Sequence, residues 1–254
     1  MSKPFLTQFD PNPSAVLDPD HERAELDYHF PKKLLFAFIT SEAIANFLSQ
    51  YPYRKLGHYD CFEGETPIYE VNLGNEKITF CQAKIGAAAA VELLDWLIGY
   101  GVRQVIAIGS SGVLVDLPEN YFLVPIKAIR DEGTSFHYAP AGNFISLEGP
   151  YLRRVEELMQ QNNFKVKEVT TWTTDGFFRE TPAKVKQFKE LGASCVEMEC
   201  AALATCANFR QVDFAQILFT ADSLSDLEKH EDRSWGRDAH ELALQLAAQI
   251  LAKI

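Results

Sequence analysis

The chain has 254 residues, of which 47% are hydrophobic and 12% aromatic, and its formal net charge is −11. This length and hydrophobic content predict a globular protein with a sizeable core, built as one large α/β domain or two small ones. The acidic balance disfavours nucleic acid as a partner, because phosphate backbones select basic surfaces.

The cysteines and the apolar stretches indicate a cytoplasmic location. The five cysteines are odd in number and contain no C-x-x-C pair, as expected for reduced thiols. No run of about 18 apolar residues and no basic start followed by an apolar stretch occurs in the chain. We therefore expect no membrane span, no signal peptide and no membrane partner.

The first 30 residues form the first predicted unit. They are rich in Pro and Asp, as in Asp10-Pro11 and Asp18-Pro19, which favours an extended N-terminal arm over residues 1–30. We expect this arm to lie on the body of the protein or on a neighbouring subunit. Residues 31–254 are then predicted to form the domain itself.

Strands and helices alternate along the rest of the chain. An apolar run predicts a strand at 34–39 and a helix through residue 49, capped by Thr40 or Ser41. Strands at 68–73 and 78–83, a helix at 87–100 and a buried strand at 104–108 follow. The second half predicts a strand at 121–129, a helix at 150–162, a strand at 166–174 and a helix from 181 to 192. A strand end near 196, a helix through 209, a strand at 214–220, a polar loop at 223–238 and a last amphipathic helix complete the series.

The alternation occurs without a linker between its parts. Such a pattern predicts a single α/β domain with a central mixed β-sheet flanked by helices.

A Gly/Ser segment follows the buried strand at 104–108. Gly109-Ser110-Ser111-Gly112 would bring backbone amides and two hydroxyls to the carboxyl edge of the sheet, where open α/β sheets bind ligands. Successive amides can form an anion-binding nest. The alternative is an ordinary strand-to-helix turn.

Two carboxylates lie two residues apart where a strand is predicted to run into a helix. In an extended segment Glu197 and Glu199 face one side and Met198 faces the other. Buried carboxylates are costly unless they are partnered, so this arrangement predicts a polar or cationic occupant. The alternative is a solvated strand end, with a glutamate favoured by the helix dipole.

Two further segments after strands are rich in functional groups. The loop at 130–138 suggests a site wall, unless Arg130 simply pairs with Asp131 or Glu132. In the segment at 173–180, one of the rings of Phe177 and Phe178 could stack on a planar heterocycle, although adjacent phenylalanines also serve as core anchors. Arg179 and Glu180, which follow, could pair with each other.

Asp222 follows the strand at 214–220 and arrives at the same sheet edge as Ser110. A carboxyl group there could protonate a leaving-group nitrogen if burial raised its pKa. Its alternative role is a helix cap or turn former.

No motif for a metal or an organic cofactor is found. The six histidines are scattered, and the chain has no zincin helix, dinucleotide fingerprint, P-loop or nucleophile elbow. We expect no metal and no cofactor.

Taken in order, segments 130–135, 174–181 and 196–203 resemble the nucleoside phosphorylase superfamily of uridine phosphorylase, bacterial-type purine nucleoside phosphorylase and the methylthioadenosine nucleosidases. The resemblance extends from about residue 34 to the end. It implies cleavage of the N-glycosidic bond of a nucleoside, with phosphate as co-substrate, giving a free base and ribose 1-phosphate. It also implies a homo-oligomer, either a dimer or a trimer of dimers.

The resemblance assigns roles to particular residues. Glu199 matches the carboxylate that binds the ribose 2' and 3' hydroxyls, Met198 matches the residue under the sugar, and Glu197 is their neighbour in the motif. A carboxylate there would stabilise the developing ribosyl cation.

The same resemblance implies how the base and the phosphate are bound. Phe177 matches the ring that stacks on the base, and Asp222 matches the acid that faces N7 in purine-specific members. Gly109 and Ser110 match part of the phosphate loop. With Asp222 present and no Gln-x-Arg pair after Phe178, a purine is favoured over a pyrimidine.

Two phosphate-binding arginines of the family are replaced. Ala107 occupies the position two residues before the glycine of the phosphate loop, and residues 39–43 read Ile-Thr-Ser-Glu-Ala in place of a Gly-Asp-Pro-x-x-Arg turn. Each lost bidentate arginine contact forfeits about 1.5–3 kcal/mol of phosphate binding. Arg130, Arg54, Lys55 or His137, from this chain or a neighbouring one, could substitute.

Three functional hypotheses follow. The leading one is a phosphorylase, a pentosyltransferase of purine salvage whose partners are a nucleoside and phosphate. The alternative is a hydrolytic nucleosidase that uses water, because the arginines are missing. A non-catalytic nucleoside-binding protein on the same fold is the third.

Overall fold

A computed structural model describes residues 4–62 and 64–254 of the chain. These residues form ten strands: β1 (Lys33–Ala37), β2 (Tyr53–Cys61), β3 (Gly64–Leu73), β4 (Glu76–Gln82), β5 (Gln104–Val113), β6 (Phe122–Asp131), β7 (Phe144–Ser146), β8 (Glu168–Thr174), β9 (Ala193–Glu197) and β10 (Asp213–Ser223). The same residues form eight α-helices: α1 (Arg23–Leu26), α2 (Ser41–Ser49), α3 (Ala87–Gly99), α4 (Ser135–Tyr138), α5 (Pro150–Gln161), α6 (Pro182–Glu190), α7 (Cys200–Phe209) and α8 (Ala239–Leu251).

All ten strands belong to one mixed sheet. Strand β1 pairs in parallel with both β4 and β5, and β5 pairs in parallel with β10. The order β10-β6-β8-β9-β5 returns to β10 through the β10–β5 pairing, so these five strands form a closed ring. Strands β4, β3 and β2 extend the sheet beyond β1. The predicted α/β fold with a central mixed sheet and flanking helices is confirmed.

The central strands are buried because their sequences are continuous apolar runs. In β1 and β5, Leu34, Leu35, Val105 and Ile106 have no exposed surface, as is typical of parallel strands covered on both faces. Helix α2 begins where predicted, and Thr40 Oγ1 accepts a hydrogen bond from the Ala43 amide at 3.4 Å. These elements fix the carboxyl ends of β1, β5 and β10 side by side.

The Gly/Ser segment is a strand, and its interpretation as a turn is wrong. Strand β5 continues through residues 109–112 because Gly109, Ser110 and Ser111 pair with β10 and Gly112 pairs with Val196 of β9. The predicted strand at 104–108 therefore ends five residues too early, at a point where only the neighbouring strands decide its length.

Strands β2 and β7 were not expected from the sequence. The residues of β2 are all at least partly exposed, and β2 pairs with β3 alone at the edge of the sheet. Its apolar alternation is weak for this reason. Strand β7 has three residues and pairs with β6 alone.

The described part of the N-terminal arm lies on the body of its own chain. Arg210 Nη1 donates to the Pro13 carbonyl at 2.9 Å, and Arg23 Nη2 donates to the Gly99 carbonyl at 2.5 Å. Two short helical turns, Phe5–Thr7 and α1, interrupt its extended course. Residues 1–3 of the predicted arm lie outside the described residues. In the described ranges, every helix is too short or too polar to cross a bilayer.

Candidate active site

A cavity of about 570 Å³ opens at the carboxyl ends of β1, β5 and β10. Its wall is completed by the junction of β9 with α7 and by the loop that precedes α8. Seven of the eight predicted site residues line it: Gly109, Ser110, Phe177, Glu197, Met198, Glu199 and Asp222. Most of the site residues predicted from the sequence therefore converge on this cavity.

The carboxylate of Glu197 is held by the protein itself. Its Oε1 accepts hydrogen bonds from Thr171 Oγ1 at 3.1 Å and Thr173 Oγ1 at 2.6 Å. Its Oε2 accepts from the amides of Glu199 at 2.7 Å and Cys200 at 2.6 Å. These four bonds fix the start of α7. Although Glu197 lines the cavity, its carboxylate is used within the protein, where it positions Glu199.

Glu199 is buried at the same junction. Its Oε1 accepts a hydrogen bond from the Gly86 amide at 2.6 Å. A carboxylate has room for about four such bonds, which leaves acceptor capacity toward the cavity. Burial, and next the charge of Glu197, raise the pKa of Glu199 to about 8. Positive charge developing nearby would favour the ionised form of Glu199.

Asp222 lies within β10 rather than after it and is 6% exposed. His230 Nε2 is 2.8 Å from Asp222 Oδ2, and Asp222 raises the pKa of this imidazole. Gly112 on the adjacent strand β5 leaves room for the Asp222 carboxyl group. A Cβ at this position would lie only 3.1 Å from Asp222 Oδ1. The predicted meeting of Asp222 and the 109–112 segment at one edge is confirmed.

Phe177 and Phe178 have different environments. Phe177 lines the cavity and is 43% exposed, whereas Phe178 is 92% exposed and lies outside the lining. Their rings are 5.0 Å apart in an edge-to-face arrangement. Neither ring is a core anchor, so Phe177 is the ring available for stacking on a planar ligand.

The end of the cavity near Ser110 is polar but uncharged. Thr40 and Ser41 line it at the start of α2, and the Thr40 amide is 3.4 Å from His240 Nδ1. Burial lowers the pKa of His240, which favours its neutral form. Gln216 also lines the cavity, and its buried Oε1 has no hydrogen-bond partner among residues 4–62 and 64–254. Of the described residues that line this cavity, none is Arg or Lys.

Arg130, the eighth predicted site residue, does not line the cavity of its own chain. The buried guanidinium donates to Ser135 Oγ at 2.8 Å and to the Pro140 carbonyl at 2.7 Å, and it lies 4.3 Å from the centre of the Phe136 ring. Neither of its sequence neighbours is its ion-pair partner in the described structure, and Asp131 pairs with Lys184 at 2.7 Å. Arg130 therefore links the end of β6 to the segment that contains Ser135 and Pro140 and stabilises that loop.

The other proposed substitutes also lie away from the cavity of their own chain. Arg54 Nε is 3.0 Å from Glu70 on the neighbouring strand, and Lys55 Nζ is 3.4 Å from Glu65. His137 lines a second cavity under the N-terminal arm. A contribution from a neighbouring subunit stays a prediction.

The sequence assigned no role in the site to Glu180, Trp235 and His240, which line the cavity, or to His230, which contacts Asp222. Glu180 lies beside the predicted ring Phe177 and was interpreted as a partner of Arg179, which gave it no role in the site. His230 and Trp235 come from the polar loop before α8, where the sequence pattern indicates only turns. Their approach to β10 depends on the tertiary fold alone.

Comparison with known proteins identifies the class. The family profile described as Phosphorylase superfamily matches residues 38–254. The chain therefore belongs to the phosphorylase superfamily, as its motifs indicated.

Particular relatives include both phosphorylases and nucleosidases. The chain is 28% identical over 160 residues to a DeoD-type purine nucleoside phosphorylase of Bacillus cereus, a match that spans 59% of this chain and 66% of that protein. Uridine phosphorylase of Vibrio fischeri has the same fold, with a TM-score of 0.76, 19% identity, and coverage of 90% of this chain and 96% of that one. The 5'-methylthioadenosine/S-adenosyl homocysteine nucleosidase of Campylobacter jejuni gives a TM-score of 0.73 at 18% identity, covering 88% and 99%.

Proposed function

We propose that this protein cleaves the N-glycosidic bond of purine nucleosides and releases the free base. The observation that carries the proposal is that Glu199 and Asp222 line one cavity together with the Phe177 ring. Breaking this bond places positive charge on the ribosyl group and negative charge on the leaving base. A site for the reaction needs a carboxylate on the sugar side and a proton donor on the base side.

Each group has a defined part in this mechanism. Glu199, held by the Gly86 amide, accepts the ribose hydroxyls and stabilises the ribosyl cation in its ionised form. Asp222 transfers to N7 of the leaving purine a proton that it receives from protonated His230 across the 2.8 Å contact between them. Phe177 stacks on the base.

Water is the nucleophile that the cavity supports best. Phosphate carries about two negative charges and is held in proteins by Arg or Lys or by free amides. The neutral end contains Thr40, Ser41, Ser110 and His240, and the backbone of 109–112 is paired within the sheet. These groups can orient a water molecule without a cationic side chain.

Phosphate is the second candidate nucleophile. Gly109 and Ser110, at the positions of the family's phosphate loop, line the cavity, and the curated relative from Bacillus cereus is a phosphorylase. Phosphorolysis would use the Ser110 hydroxyl together with a cation from a neighbouring subunit.

Base release from inosine, adenosine and guanosine, followed by chromatography with and without phosphate, tests the proposal. Uridine serves as the pyrimidine control. Release of ribose that is independent of phosphate supports hydrolysis, and formation of ribose 1-phosphate only with phosphate supports phosphorolysis. If nucleosides bind but no product forms, even at high protein concentration and with phosphate present, the result would support the non-catalytic nucleoside-binding protein and contradict the proposal.

A further inference from the structure

Glu180 is a carboxyl group of the cavity for which the mechanism above has no role. It follows the turn at Phe177–Arg179, lines the cavity and is only partly exposed. Within the described ranges, no hydrogen-bond donor or cation is paired with its carboxyl group, and Arg179, its predicted partner, forms no ion pair with it. An unpaired, partly buried carboxyl group beside a ligand cavity is available to a ligand.

The groups around Glu180 distinguish it from Asp222. Asp222 has His230 at 2.8 Å, and the other nitrogen of that imidazole, Nδ1, is 3.0 Å from Asp232 Oδ1. Glu180 shares the cavity with Asp222 of β10 and with the carboxylates of Glu197 and Glu199, and it is close enough to Asp222 and His230 to be affected by their charges. Among the described residues that line the cavity, acidic side chains outnumber Arg and Lys, and the His230 imidazole is in contact with both aspartates.

This arrangement favours one proton on Glu180. Burial, and next the charge of Asp222, raise its pKa to about 7, against the smaller opposing effect of His230. The carboxyl group therefore donates a hydrogen bond below neutral pH and only accepts one above it. Asp222 and Glu180 together present two carboxyl groups to the base end of the cavity.

We propose that Glu180 is a specificity-determining residue that contacts the substituent at position 6 of the purine. It donates a hydrogen bond to a 6-oxo group when protonated and accepts one from a 6-amino group when ionised. The inference rests on the proposed function, in which Asp222 faces N7. Position 6 and N7 lie on the same edge of a purine, so two neighbouring carboxyl groups can contact both.

The test compares inosine with adenosine across pH 5.5–8.5. For the wild-type enzyme, the ratio of kcat/KM for inosine to that for adenosine should fall about tenfold or more between pH 6 and pH 8, as the protonated fraction of Glu180 falls. Glu180→Gln keeps both a donor and an acceptor without titrating, so its ratio should stay constant within about twofold. Glu180→Ala should lower kcat/KM for both nucleosides about tenfold.

Glu190→Gln, on the exposed end of α6, is the matched control and should behave as the wild type does. A wild-type ratio that does not change with pH, or the same change in Glu180→Gln, would overturn the inference.

A binding measurement separates this inference from the proposed function. Dissociation constants of hypoxanthine and adenine, measured by calorimetry over the same pH range, report on the base end without turnover. If the wild type releases no base but its hypoxanthine-to-adenine preference changes with pH and Glu180→Gln abolishes the change, the proposed function fails and the role of Glu180 stands. If neither base binds, the inference fails as well.

Discussion

Replacing Glu199 by Gln should stabilise the fold at alkaline pH while it abolishes activity. The wild-type carboxyl group is buried, and its pKa rises from 4.5 to about 8 on folding. A group whose pKa is raised in the folded state binds protons more tightly there than in the unfolded chain. Its favourable contribution is therefore complete below pH 4.5 and is lost as the pH rises to about 8.

The magnitude follows from the same pKa. A rise from 4.5 to about 8 is worth roughly 5 kcal/mol of unfolding free energy at about 1.36 kcal/mol per pKa unit. Because Glu197 interacts strongly with Glu199, we expect an observed change of about 2–5 kcal/mol. Glu199→Gln does not titrate, and its side-chain oxygen can still accept the hydrogen bond from the Gly86 amide.

Urea unfolding at pH 5 and pH 9, at one fixed protomer concentration, measures this effect. The stability of Glu199→Gln relative to the wild type should increase by about 2–5 kcal/mol between the two pH values. Glu190→Gln on α6 is the control and should show no such change. A variant whose relative stability is the same at both pH values, or lower at pH 9, would refute the account of Glu199 as a buried carboxylate kept for function.

Three further outcomes are expected. Phe177→Ala should raise KM for the nucleoside about tenfold through lost stacking, whereas Phe178→Ala should leave KM unchanged in the same assay, because that ring is outside the cavity lining. Asp222→Asn should lower kcat for inosine by about 10²–10⁴-fold but spare an N7-methylated nucleoside, whose base leaves without protonation; equal losses with both substrates would contradict its role as an acid. Arg130→Ala should lower the unfolding free energy in urea by about 2–4 kcal/mol and leave the phosphate dependence of the folded enzyme unaltered, since Arg130 holds Ser135 and a main-chain carbonyl.

Much of the fold, and the principal acidic and aromatic side chains of the candidate site, could be predicted from the sequence. Continuous apolar runs in β1 and β5 predict buried strands because such segments are stable only when both faces are covered. The cavity-lining residues Phe177 and Glu199 follow strands β8 and β9, and Asp222 lies near the end of β10, at the sheet edge where α/β proteins bind ligands. The length of β5 was underestimated because its last five residues owe their extended form to pairing with β9 and β10.

The sequence by itself determined the class of fold, the edge of the sheet that carries the site and the identity of its paired carboxylates. Alternation along a strand places Glu197 and Glu199 on one side, but it does not show which carboxylate is already hydrogen-bonded within the protein and which is free to bind a ligand. Only the tertiary structure decided that Thr171 and Thr173 hold Glu197 while Gly86 contacts Glu199. It likewise placed Arg130 within a loop, and it brought His230 to Asp222 and left Glu180 unpaired among the described residues. The physical reason is that hydrogen bonds and burial depend on residues far apart in the chain, which local patterns do not specify.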